Sequence, residues 1–352
     1  MEAEIIQKKI EPMTIAFIRF GLVDANKQLS EMFKTIKDEC QEKGVGSPFV
    51  IFHYDTKVEE GQDVEACYQV TEPVETENVK SRTFQATEVL SYTHKGPRES
   101  ALDNARKILV GLWERGVRSS LYRCEVYHFW DKDNPQSNEL EIQIVPHNWI
   151  RLFADGLDRV NLGEKAKREI LDGYEKITHF TSLEERVKWV RGALIKLKDI
   201  STEDQTREAI SGCGQKFPDE NIAILKAIYE EHGLEYLVNR MITDPLHMAA
   251  PVRDGNLLYF TKAPANKKGY DEAETWEEKR PQACWVALAK QAMLKGLELP
   301  PIFCYTSARW FKRLWENILD QPVLVEMARS ALNGDRDCTF VVHLPQNKLT
   351  PG

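Results

Sequence analysis

An internal repeat in the first 147 residues constrains the fold more than any other feature. Residues such as Phe52 and Tyr127, or Val70 and Val145, correspond at an offset of 75. Alternating apolar residues predict strands, and apolar residues three or four apart predict helices. The predicted elements are strands 4–20, 48–54, 63–70, 83–94, 122–130 and 139–145, with helices 25–43 and 100–116. Two β-α-β-β units in tandem predict one antiparallel sheet backed by two helices, with a concavity between the halves.

The strand 122–130 contains an acid among aromatic and apolar residues, which makes Glu125 the leading site candidate. Strand alternation places Glu125, Tyr127 and Phe129 on one face and the even-numbered residues 124–130 on the other. A carboxylate held among rings needs a partner or a proton, and a flat, hydrophobic cation would be one such partner. The alternative is an ordinary strand whose glutamate points to water or pairs with a nearby arginine. In the repeat, Glu125 corresponds to Val50, so a site here would break the symmetry of the two halves.

Four segments in this order carry a family resemblance: 9–19, 92–97 (Tyr-Thr-His-Lys-Gly-Pro), 124–127 (Cys-Glu-Val-Tyr) and 140–146 (Leu-Glu-Ile-Gln-Ile-Val-Pro). They resemble the GyrI-like effector-binding family, the small-molecule domain of gyrase-inhibitory proteins and of many drug-responsive transcription activators. The resemblance covers residues 1–147 and implies a duplicated fold with a ligand cleft between its halves. It also implies that Glu125, with Tyr127, recognises hydrophobic and often cationic compounds.

The chain departs from that family at two points. Arg98 stands where the family usually has an aromatic residue after His-Lys-Gly-Pro, and Trp130-Asp131-Lys132 replaces the common Asp-Pro. Details of the pocket are therefore open. The candidate ligand-binding residues are Glu125, Tyr127, Phe129, Phe17, Tyr54, Tyr68 and Trp113, and for each of the aromatic ones a plain core position is the competing interpretation.

Two functions compete on this sequence. The first is a binding protein or sensor for a hydrophobic, drug-like molecule in a cleft between the two repeats. The second is a hydrolase, because some stand-alone members of the family resemble enzymes that open cyclopropane rings of reactive natural products. In that case Glu125, its pKa raised by burial, would be the catalytic acid or base. No cofactor or metal is expected for either function.

Charge and composition exclude several other classes. The net charge is -8, and the acidic excess lies in residues 1–150, with 25 acidic against 18 basic residues. This distribution argues against a nucleic-acid footprint, so direct DNA binding is not expected. No apolar run approaches the roughly 18 to 20 residues that a membrane span requires. Seven scattered cysteines favour reduced thiols over a disulfide framework, and we expect a cytoplasmic protein of unknown oligomeric state.

The second half, 148–352, is predicted to be a helix-rich domain, which makes the whole chain an α+β protein. The predicted helices are 163–177, 182–198, 203–210, 219–232 and 308–319, and the predicted strands are 256–262, 301–305, 322–329 and 338–344. The last 50 residues resemble the closing helix-strand-turn-strand of small-molecule domains related to the 4-vinyl reductase group. Cys213, Cys284, Cys304 and Cys338 could form a cluster, although none belongs to a Cys-x-x-Cys pair, and buried apolar thiols are the competing interpretation.

Overall fold

The computed structural model describes residues 5–53, 60–147, 149–214, 217–243 and 250–345, without the side chains of 26 and 120–122. It divides into two compact units, residues 1–112 with 117–147 and residues 113–116 with 148–352. In the first unit the elements are β1 (Ile6–Ile10), β2 (Met13–Leu22), α1 (Ala25–Cys40), β3 (Gly44–His53), β4 (Gln62–Val70), β5 (Lys80–Phe84), β6 (Thr87–Lys95), α2 (Arg98–Glu114), β7 (Ser119–Phe129) and β8 (Glu139–Pro146).

The strands of the first unit form one antiparallel sheet of eight strands in the order β1-β6-β8-β7-β3-β4-β2-β5. Each half therefore has one strand more than predicted, because the chain breaks at Glu11-Pro12 and again at 85–86. Proline has no N–H to donate to a ladder, which favours a strand end at Pro12. Strand β1 pairs with β6 of the other half, and β5 pairs with β2, so each half contributes an edge strand to its counterpart.

The strand registers follow a twofold relation. Ala16 and Tyr68 pair between β2 and β4 on the helix side, as Leu90 and Ile144 do between β6 and β8. In the central strands β3 and β7 the offset is 75, and Val50 lies directly opposite Glu125. The pseudo-twofold axis therefore passes between these two residues.

The two helices cover one face of the sheet. Asp24 caps α1 by accepting a hydrogen bond from the backbone N–H of Lys27. Leu29 and Ile36 of α1 are fully buried against Val50, and Ala101 and Ala105 of α2 are buried with their own apolar cluster. The two helices pack on two separate apolar clusters of the sheet. A cleft can therefore open between the helices, over the middle of this face.

The second unit contains a helical block and a small antiparallel sheet, as the α+β prediction requires. Its elements are α3 (Trp149–Arg159), α4 (Glu164–Ile170), α5 (Leu183–Ile200), α6 (Glu203–Ser211), α7 (Asp219–Thr243), β9 (Pro251–Asp254), β10 (Leu257–Thr261), α8 (Lys267–Glu272), α9 (Trp276–Ala283), α10 (Ala287–Leu294), α11 (Ala308–Leu319), β11 (Leu324–Arg329) and β12 (Thr339–His343). The sheet has the order β11-β12-β10-β9.

Three predictions for this unit need correction. The helix predicted at 163–177 ends at Ile170 and is followed by a short 3-10 helix, Tyr174–Lys176. Residues 301–305 are not a strand but part of a 3-10 helix, Pro301–Ser307, since Pro300 and Pro301 offer no N–H to a ladder and proline favours the first turn of a helix. The helix predicted to end at His232 continues to Thr243 after a break at Gly233, where φ is 79°.

One core holds the second unit together. Phe311 of α11 packs against Phe260 of β10 and Phe340 of β12, with ring centroids 4.8 and 5.3 Å apart. Trp315, one helical turn further on, has no exposed surface. In the part of the chain that the structure describes, no helix combines the length and the apolar character needed to cross a membrane.

Candidate functional site

Glu125 lies at the centre of the sheet, on the face that carries the helices. Its neighbours across β3 and β8 are Val50 and Ile142, both fully buried. Glu125 itself has 0% exposure. A carboxylate in this position is costly unless charged or polar partners surround it.

Three side chains supply those partners. Arg98, the first residue of α2, makes a bidentate contact, with Nε 2.7 Å from Oε2 and Nη2 3.0 Å from Oε1. Arg123, two residues away on the same face of β7, donates from Nη2 to Oε1 at 2.7 Å. The hydroxyl of Tyr127 donates to Oε2 at 2.8 Å. Each carboxylate oxygen therefore accepts two hydrogen bonds, so the alternative of a glutamate paired with arginine describes this site.

Burial and charge fix the protonation of these partners. Burial opposes the charge of Arg98, but the adjacent Glu125 carboxylate outweighs it and holds the pKa of Arg98 above its ordinary value. Burial, followed by the charge of Glu125, raises the pKa of Tyr127 well above 10. Arg98 therefore stays cationic, and Tyr127 keeps the proton that it donates.

Phe52 of β3 lies beneath both guanidinium groups. The Cζ atoms of Arg123 and Arg98 are 4.4 and 5.5 Å from the centre of its ring. This geometry favours a cation–π interaction, and it leaves Phe52 only 1% exposed. The two arginines, Glu125 and Phe52 thus form one rigid group, which we call the arginine floor.

A cleft of about 910 Å³ opens above the arginine floor, between the start of α1 and the face of α2. Eight of its fifteen lining residues are apolar and seven are polar or charged, and the charged rim residues Asp24, Glu99 and Arg106 are exposed. The lining residues are Leu22, Val23, Asp24, Ala25, Phe52, Gln62, Arg98, Glu99, Leu102, Ala105, Arg106, Leu109, Ser119, Arg123 and Ile144. All of them belong to the first unit.

Of the predicted ligand residues that the structure describes, it brings together two, Glu125 and Tyr127. Both lie below the arginines and do not line the cleft. Phe17 lies on the opposite face of the sheet, where the guanidinium carbon of Arg82 is 5.4 Å from the centre of its ring.

The other predicted aromatic residues also lie away from the cleft. Tyr68 packs edge-on against Phe33 of α1 at 6.2 Å. Trp113 falls in the segment grouped with the second unit. Phe129 ends β7 and is 52% exposed. Tyr54 lies outside the described residues.

The predicted alternation of β7 holds only as far as Tyr127. The register with β8 shifts between Tyr127 and Phe129, so Trp130 reaches the helix side and packs edge-on against Tyr127 at 5.2 Å. A bulge of this kind turns the following side chains to other directions. Trp130 therefore does not occupy the face predicted for it.

Arg123 and Phe52 were not predicted as site residues, although they complete the floor. The sequence did mark position 98 as unusual, because Arg98 stands where the family resemblance leads one to expect an aromatic residue. Arg123 could have been found by alternation, since it lies two residues before Glu125 on the same face.

The late cysteines are buried thiols. Cys304 accepts a hydrogen bond from the Ser330 hydroxyl at 3.0 Å, and Cys338 accepts one from the backbone N–H of Ala331 at 3.5 Å. Burial raises the pKa of Cys284 to about 12, and the charge of the neighbouring Cys338 acts in the same direction. Within the described ranges, no group of three or more His, Cys, Asp or Glu side chains could hold a metal ion.

The fold of the first unit is that of a duplicated α+β small-molecule binding domain. Residues 3–145 match the model of the GyrI-like small molecule binding domain, so this part of the chain is a domain of that family. No curated protein matches the chain as a whole or in part.

Solved structures resemble the same region at low sequence identity. The EcmrR C-terminal domain is 19% identical, with a TM-score of 0.37 over 42% of this chain and 98% of that chain. A hydrolase encoded by lin2189 from Listeria innocua is 12% identical, with a TM-score of 0.31 over 41% of this chain and 92% of that one. SAV2435, solved bound to tetraphenylphosphonium, is 11% identical, with a TM-score of 0.31 over 42% and 96%.

Proposed function

We propose that the first unit binds a flat, mainly apolar small molecule in the cleft above the arginine floor. The single observation that carries this proposal is a cleft with leucines on two sides, whose base is a pre-formed polar group, Arg98–Glu125–Arg123. Ligand sites typically have volumes of about 300–1,000 Å³, with apolar walls and a few placed polar groups. The volume of this cleft lies within that range.

The walls supply the apolar contact. Leu102 and Leu109 of α2 are partly buried and line one side, while Leu22 and Val23 line the other. Val23 is 67% exposed, so a bound molecule would remove its surface from water. Each Å² of apolar surface removed contributes about 25 cal/mol to binding before the costs of association.

Glu125 acts indirectly in this proposal. Because both of its oxygens already accept hydrogen bonds from Arg98, Arg123 and Tyr127, it holds the arginines in place and does not meet the ligand. The same contacts speak against Glu125 as the base of a hydrolase, since a base must have an oxygen directed at the reacting proton. Binding is therefore the function that the geometry favours.

A dye titration with a blocking variant tests the site. The probe is 1-anilinonaphthalene-8-sulfonate, whose fluorescence rises in apolar surroundings. We expect Val23→Trp, which places a large ring in the cleft, to weaken dye binding about tenfold. The matched control is Val252→Trp in β9, where the wild-type side chain is 66% exposed, and it should leave the binding unchanged. Equal dye binding by wild type and both variants would show that the dye does not bind in the cleft.

A further inference from the structure

We infer that the second unit carries a binding site for a phosphate-bearing small molecule at the turn 212–214, which follows α6. The turn contacts the end of α3 on one side and the start of α11 on the other. The side chains of the site are Arg159, Arg309 and Thr306, all in the second unit. The inference is therefore independent of the binding function proposed for the first unit.

The turn brings two guanidinium groups together at one glycine. A Cβ on Gly212 would collide with Nη2 of Arg159, the last residue of α3, and would lie 2.6 Å from its Cζ. The carbonyl oxygen of Gly212 accepts a hydrogen bond from Nη1 of Arg309. Both guanidinium groups thus contact the same residue, and only a glycine leaves room for Arg159 to lie there.

These two arginines have no acidic partner. Among the residues that the structure describes, neither Arg159 nor Arg309 forms an ion pair with a carboxylate. Burial, followed by the charge of Arg159, lowers the pKa of Arg309, and the opposing effect of Asp155 is smaller. Arg313, one turn further along α11, is in contrast paired with Asp219. An anion bound between Arg159 and Arg309 would stabilise this arrangement of like charges.

The start of α11 adds two features that favour an anion. Arg309 lies in the first turn of this helix, where the helix dipole disfavours a cation and favours an anion. Thr306 contacts the turn, because a Cβ on Gly214 would collide with its carbonyl oxygen. Thr306 is 3% exposed, and its hydroxyl has no hydrogen-bond partner within the described ranges. A buried hydroxyl without a partner is costly, and a ligand oxygen would provide one.

The number of donors matches phosphate better than carboxylate. A single guanidinium already engages both oxygens of a carboxylate through two parallel N–H groups. A phosphate group has three acceptor oxygens and about two negative charges, so it can engage two guanidinium groups and a hydroxyl together. This is the set that Arg159, Arg309 and Thr306 offer.

The test measures the binding of inorganic pyrophosphate to the whole chain by calorimetry, with tricarballylate as a carboxylate of similar charge. We expect wild type to bind pyrophosphate about tenfold more tightly than tricarballylate. Arg159→Gln and Gly212→Ala should each weaken pyrophosphate binding about tenfold. Gly212→Ala is the sharper variant, because it keeps every charge and displaces only the guanidinium of Arg159.

The matched controls lie elsewhere in the second unit. Arg191→Gln removes an exposed arginine that is paired with Glu298, and Gly192→Ala adds a Cβ that meets nothing within 4 Å. Both should bind pyrophosphate as wild type does. Losses as large as those in Arg159→Gln and Gly212→Ala would reduce the binding to general surface charge and overturn the inference.

Three further outcomes would overturn it. Wild type might fail to bind pyrophosphate, or it might bind tricarballylate equally well, which would refute the assignment of phosphate. Unchanged binding by Arg159→Gln and Gly212→Ala, with their folds verified by circular dichroism, would place the anion away from the turn. None of these outcomes affects the dye titration of the cleft in the first unit, so the two proposals fail separately.

Discussion

Val50 and Glu125 face each other across the two central strands and are also each other's counterparts in the repeat. The pseudo-twofold axis passes between them, so the two halves differ in charge at the position where the symmetry places them side by side. One half presents a valine, and the other a glutamate with two arginines.

Replacing Glu125 should destabilise the first unit. In Glu125→Gln two guanidinium groups lose the buried acid that compensates them, at a cost of about 3 kcal/mol. The free energy of unfolding is measured with urea. Glu139→Gln, which removes an acid paired with the exposed Lys95, is the control and should change it by less than about 0.5 kcal/mol. Similar losses in the two variants would show that Glu125 does not hold the floor together.

Acid should destabilise the protein partly through Glu141. Burial opposes its charge, but hydrogen bonds from Lys8, Ser91 and Gln143 hold its pKa at about 2, below the ordinary 4.5. Because the pKa is lower in the folded state, this stabilisation is complete above pH 4.5 and is lost as the pH falls toward 2. Allowing for solvent screening at Lys8, we expect a contribution of about 2 kcal/mol.

The measurement is the free energy of unfolding as a function of pH for wild type and Glu141→Gln. The variant should be less stable at pH 7, and its stability should fall less between pH 4.5 and 2. Parallel curves for the two proteins would contradict the assignment.

The seven cysteines should be unreactive in the folded protein. All seven are buried and free, and desolvation raises the pKa of Cys40, Cys67 and Cys124 among them. Since the thiolate is the reactive form, a thiol reagent at pH 8 should modify them slowly in the native state and all seven rapidly in denaturant. Rapid native labelling of even one thiol would identify a site that the structure does not provide.

Two glycines in helices of the second unit should respond oppositely to alanine. A Cβ at Gly156 of α3 would lie 2.2 Å from the backbone oxygen of Ala209 in α6, whereas a Cβ at Gly192 of α5 meets nothing within 4 Å. We expect Gly156→Ala to cost about 3 kcal/mol and Gly192→Ala to stabilise by about 0.5 kcal/mol. Thermal melting of both variants checks this, and a neutral Gly156→Ala would refute the close approach of α3 and α6.

The sequence predicted the duplicated sheet because alternation and repetition are local patterns that the fold preserves. It could not predict that β1 and β5 pair with the opposite half, since strand pairing depends on contacts between distant residues. In the candidate site, Glu125 and Tyr127 could be named from the sequence because an acid among apolar residues stands out, although neither lines the cleft. Arg123 was missed because an arginine in a strand usually extends into solvent, and only the structure shows it folded over Phe52.

The most direct test of the binding site above the arginine floor is a nuclear magnetic resonance titration of ¹⁵N-labelled protein with 1-anilinonaphthalene-8-sulfonate, following the Nε–Hε signals of the arginines. The signals of Arg98 and Arg123 should shift with ligand concentration. The signal of Arg82, which pairs with buried Glu65 on the opposite face at 2.5 Å, should not move. Shifts of Arg82 alone, or equal shifts of all three, would contradict a binding site above Glu125.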